Sequence, residues 1–141
     1  MEEKDTNALF EEVAAGGNPK ISTIEKQDVK NEIAVRIQES RYKSQAAVSR
    51  QCHIKGSALN QYLNGVKELP RDKVLAVLIA LKYTPKEINQ RLSRLDLKPL
   101  YVKNKRDRII IEGVRDGMNM DDLDEKLIKQ NLEGLYPWPM D

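Results

Sequence analysis

Ser57, Asn60, Gln61 and Asn64 fall on one face of a single helical stretch, opposite Ala58, Leu59 and Tyr62. Asn and Gln each present a hydrogen-bond donor and an acceptor together. A row of them on the solvent side of a helix is the chemistry that reads base edges in a major groove.

Other reactive types are sparse. The only histidine, His53, follows the only cysteine, Cys52, on a turn, and neighbours at a helix end do not face each other as a catalytic dyad requires. No second ligand set accompanies them for a metal. Asp121, Asp122, Asp124 and Glu125 read as an acidic helix start, because the glycine and closing glutamate of a calcium loop are missing. No glycine-rich phosphate loop follows a strand. The expectation is a non-enzymatic protein with no cofactor and no metal.

The polar row sits in the stretch Ser44 to Gly65, SQAAVSRQCHIKGSALNQYLNG. Ser44 is an N-cap for a first helix that puts Ala47, Val48 and Cys52 on one side. Cys52 then reads as a small core residue. The second helix carries its apolar stripe inward and ends at Asn64-Gly65. The stretch resembles the helix-turn-helix of the lambda-repressor/Cro-like (Xre-type) domains. Gln45, Val48, Ser49, Cys52, Leu59, Tyr62 and the closing Asn64-Gly65 match family positions without an insertion. Two positions depart. His53 stands where the family has glycine, and His tolerates positive φ better than most side chains. Lys55 replaces the usual Ser/Thr cap, leaving either a weak cap or a cap moved to Ser57 with a shorter helix.

This resemblance implies an all-α, five-helix DNA-binding domain and assigns roles by position. Lys55, Ser57, Asn60 and Gln61 would contact bases. Gln45, Asn64, Lys67 and Arg71 would hold phosphates, joined by Arg41 and Lys43 ahead of the scanning helix. Gly56 has no side chain with which to read a base. The implied partner is double-stranded DNA, bound by a homodimer on a pseudo-palindromic operator as a transcriptional repressor.

Charge is segregated beneath a net of +2. Residues 1–25 carry two basic and six acidic side chains, residues 26–108 carry 19 and 8, and residues 109–141 carry 3 and 8. The basic excess surrounds the motif, as a phosphate-binding domain requires. There is no apolar run long enough to span a membrane, and MEEKDTNALF is acidic where a secretion signal is basic. The expected location is the cytoplasm.

Along the chain, residues 1–20 read as an acidic arm ending at Gly16-Gly17-Asn18-Pro19, with Leu9, Phe10 and Val13 available to a partner. A helix over Ser22 to Ser40 is expected from the Ser22/Glu25 capping box and the Val29, Ile33, Ile37 stripe. Val74, Leu75, Leu78, Ile79 and Leu81 make the next helix, from Arg71, central to the core. Another follows the Thr84-Pro85 cap, completing a domain over 21–101.

Residues 71–101 then align without gaps to residues 106–136, at an offset of 35. Arg71/Arg106, Asp72/Asp107, Leu92/Leu127, Leu97/Leu132, Leu100/Leu135 and Tyr101/Tyr136 are identical pairs. Residues 102–136 are therefore expected to form a second helical hairpin repeating the first. Glu112, Gly113, Arg115 and Asp116 should make its first helix shorter or more exposed. VKNKR at 102–106 is a basic connector, and the Pro-rich tail 137–141 continues an apolar end that docks on its own domain or on a partner. A different reading makes the chain a protein-interaction adaptor or antitoxin that keeps the fold and binds a partner through the acidic arm or the second hairpin.

Overall fold

The computed structural model describes residues 19–136, which form seven helices and no strand. They are α1 (Pro19–Glu39), α2 (Gln45–Cys52), α3 (Gly56–Leu63), α4 (Arg71–Ala80), α5 (Pro85–Arg94), α6 (Lys105–Arg115) and α7 (Met120–Lys129). The chain is all-α, and no described helix is long and apolar enough to cross a membrane. Most of the arm and the tail 137–141 lie outside the described residues, and with them the readings made of Leu9, Phe10 and Val13. The first helix begins at Pro19, so Ser22 is an interior position and not the expected N-cap.

Local chemistry sets most helix ends. The Ser44 hydroxyl accepts from the Ala47 N–H at 3.2 Å, and Asn119 accepts from Asp122 at 3.0 Å. Thr84 and Glu87 complete a reciprocal capping box around Pro85. α2 stops at His53, whose φ of 57° is left-handed, and α3 stops before Gly65 at φ 76°.

The centre of the core is α4. Every residue from Val74 to Leu81 is buried, and the helix packs on α2, α5 and α7. Val29, Ile33 and Ile37 are fully buried on α1, which braces α2, α3 and α5. Glu32 ties α1 to α5 by accepting from Arg91 at 3.0 Å and from Tyr83 at 2.8 Å.

Contacts recur at the 35-residue offset. Arg71 Nε donates to the Lys98 carbonyl at 2.7 Å, and Arg106 Nε donates to the Glu133 carbonyl at 2.7 Å. Asn89 accepts from the Leu100 N–H at 2.8 Å, and Asp124 accepts from the Leu135 N–H at 2.7 Å. Lys82 and Gly117 share a positive φ, as do Asp96 and Asn131. The two hairpins pack reciprocally, α4 against α7 and α5 against α6. α6 is no shorter than α4, 11 residues against 10, but its end is more exposed, and Gly113 admits the Leu123 side chain where a Cβ would come within 2.7 Å of it.

Candidate nucleic-acid interface

α2 and α3 are joined by His53, Ile54 and Lys55 and pack against each other. Leu59, Tyr62 and Leu63 anchor α3 in the core, alongside Val48 and Cys52 of α2. Burial pushes the Cys52 thiol up to about 12, so at neutral pH it is an inert apolar group. The opposite face of α3 is open: Ser57, Asn60, Gln61 and Asn64 are all exposed.

Three amides on this face form a chain. Asn64 Nδ2 donates to Asn60 Oδ1 at 3.2 Å, and Asn60 Nδ2 donates to Gln45 Oε1 at 3.2 Å. The links hold the start of α2 against the middle of α3. An amide has two N–H donors and two acceptor lone pairs, so Asn60 keeps one of each for a further partner. Its side chain is oriented before any ligand arrives.

Lys55 is the N-cap of α3 and its side chain makes no capping bond, so the helix begins at Gly56, the first of the two alternatives. The Gln61 carbonyl accepts the N–H groups of Val66 at 2.8 Å and of Lys67 at 3.3 Å, curling the following loop back on α3. That fold-back leaves Lys67 exposed beside the polar row. Gln27 supports the loop from α1, donating to the Leu63 carbonyl at 2.9 Å.

The expected phosphate contacts divide. Lys43 and Lys67 are exposed, and Gln45 belongs to the amide chain. Arg41 is exposed and turns its guanidinium to its neighbour, stacking over the Tyr42 ring at 5.0 Å. Arg71 is engaged elsewhere. Its guanidinium donates to the Lys98 and Pro99 carbonyls and faces Asp107 at 3.6 Å, so it braces the hairpin junction. Besides its neighbour Asp72 at 4.0 Å, these partners lie 27 or more residues away in the chain, and nothing local to Arg71 announced them.

Sequence reasoning also missed the link from this site to the second hairpin. The Tyr136 ring stacks on His53 at 3.8 Å between centroids, with 5° between planes. Its hydroxyl donates to Asp121 at 2.5 Å and accepts from Gln51 Nε2 at 3.4 Å. Burial and the Asp121 carboxylate push the phenol above its ordinary range. The pairing of Tyr136 with Tyr101 marked the residue, but not its partner.

Comparison with protein-family models, with curated proteins and with solved structures finds no match.

Proposed function

We infer that α2, the His53 turn and α3 act as a helix-turn-helix of the lambda-repressor-like type, within a five-helix domain over α1–α5 followed by a second hairpin. On this reading the chain is a sequence-specific regulator of double-stranded DNA, a repressor acting as a cytoplasmic homodimer. The observation that carries it is the oriented amide chain Gln45, Asn60, Asn64 beside the free side chains of Ser57 and Gln61 on an exposed helix face. Such a face offers paired donors and acceptors of the kind that read base edges.

Lys55, Ser57, Asn60 and Gln61 contact bases on this reading. Gln45, Asn64, Lys67 and Lys43 hold the backbone, with Arg41 at the periphery. Arg71 is left out because its donors are engaged at the hairpin junction.

The deciding experiment is selection of the full chain against a random duplex pool at low and at physiological salt, sequencing what is retained. A two-fold-related motif with half-sites about one helical turn apart supports the dimeric regulator. Absence of enrichment at both salts rejects it and favours the adaptor reading, in which the acidic ends meet another protein.

A further inference from the structure

The basic excess of residues 26–108 does not lie on one surface. Lys30 is buried over the Tyr62 ring at 4.5 Å, and Arg36 donates to the Leu81 and Lys82 carbonyls. Arg71, Arg91 and Arg106 likewise brace helices from within. One exposed set of cations borders α2 and α3. A second lies elsewhere, on α5 and the connector to α6: Lys86, Arg94, Lys98, Lys103 and Lys105.

Residues 86–108 carry eight basic and three acidic side chains. Two of the acids are engaged, Glu87 in the capping box and Asp107 buried under the Tyr101 N–H at 2.9 Å. Asp96 alone is exposed. None of the five exposed cations forms an ion pair with a described carboxylate.

The backbone that carries these charges is held in place. Lys86, Gln90, Ser93 and Arg94 share the outer face of α5, opposite buried Ile88 and Leu92. Asn89 clamps the connector beside that face by bonding both the N–H and the carbonyl of Leu100. Pro99 and the α5 side chains wall an open groove of about 740 Å³. Tyr101, 54% exposed, stands next along the connector. Cations, amides and a hydroxyl line this open groove, and further cations with an exposed aromatic follow along the connector, a set that matches a nucleic-acid backbone.

We propose that the outer face of α5 and the Lys98–Lys105 connector form a second nucleic-acid site, which takes a phosphodiester backbone without sequence preference. It is built on α5 and the start of α6, whereas α3 packs on α1 and α2. This site stands independently of the role assigned to α3.

The test is a binding titration of the full chain with a random-sequence duplex and with a poly(dT) strand, over a range of salt. Lys98→Gln/Lys103→Gln/Lys105→Gln is compared with Asn60→Ala/Gln61→Ala. The triple variant is expected to lose tenfold or more on random nucleic acid, and its duplex salt slope should fall by about 2 to 3 units. A lysine-to-glutamine control on α7, Lys126→Gln/Lys129→Gln, should keep its random-sequence binding. Restoration of the triple variant by Lys→Arg at its three positions excludes a folding defect.

Tighter binding of poly(dT), reversed by Tyr101→Ala, assigns the ligand as a single strand; equal affinity assigns it to backbone charge alone. The proposal is overturned if the triple variant binds both ligands as wild type does, if no nucleic acid binds, or if polyglutamate binds equally well. Failure of the α3 reading shows separately, as an Asn60/Gln61 variant that is unchanged on every DNA.

Discussion

Arg106 donates to the Asp72 carboxylate at 2.9 Å, and the mirrored pair, Arg71 with Asp107, faces at 3.6 Å. Each hairpin lends the other an arginine and an aspartate from the same two positions of its first helix. The contact is therefore isologous, like a two-fold dimer made within one chain. Arg106 also donates to the Glu133 and Gly134 carbonyls, so one guanidinium ties its own loop and the partner hairpin together.

Arg106→Ala should destabilise the protein by about 1 to 3 kcal/mol, because it removes the closest cation from the Asp72 carboxylate and the donors from the Glu133 and Gly134 carbonyls. Arg71→Ala should cost less, since its carboxylate lies farther off. Urea denaturation of both single variants and the double variant measures the coupling. Strict additivity would show that the two pairs do not act as one junction.

Tyr136→Ala should weaken the docking of the second hairpin by about 1 kcal/mol through loss of the stack. The sharper readout is the His53 ring, whose proton resonances should lose their upfield ring-current shift in this variant. Tyr136→Phe should keep the shift while losing the bonds to Asp121 and Gln51. Unchanged His53 resonances in Tyr136→Ala would reject the stack in solution.

Gln61→Ala should weaken binding to a selected duplex by about 1 to 3 kcal/mol and relax one base position, while barely affecting random DNA. Lys67→Ala should weaken all duplexes alike and lower the salt slope by roughly one unit. Equal losses on selected and random duplex for Gln61→Ala would remove that residue from base readout.

Glu87 gives a pH dependence with a definite sign. The Thr84 N–H bonds its carboxylate and holds it below its ordinary value of 4.5, with Arg36 and Arg91 adding to the effect. The stabilisation is full above the unfolded value and is lost as pH falls through the lower folded one. Thermal melts from pH 6 down to pH 3 should fall less steeply for Glu87→Gln than for wild type. Parallel acid limbs would show that the carboxylate charge does not matter to the cap.

Much of the fold is legible in the chain because helix ends are local. Ser44, Thr84 and Asn119 cap N–H groups within three residues, and His53 turns the chain through its own φ. The polar row of α3 is legible for the same reason, since helical periodicity alone sends Ser57, Asn60, Gln61 and Asn64 to one side. The 35-residue register is visible too, although not what its conserved-looking arginines touch. The start of α1 at Pro19 was not visible, because Ser22 offers a plausible cap three residues late.

What the sequence determined by itself is the all-helical chain, its punctuation and the face each helix turns inward, all properties of spans shorter than a dozen residues. The tertiary structure alone decided which cations are struts and which are surface. Arg71 and Lys98 look alike as charges in a basic segment, yet Arg71 is held by the Lys98 carbonyl while the Lys98 side chain stays in water. The same holds for His53 and Tyr136. A guanidinium or an aromatic ring finds its partner only once packing has brought distant loops to it, and no spacing within the chain encodes that approach.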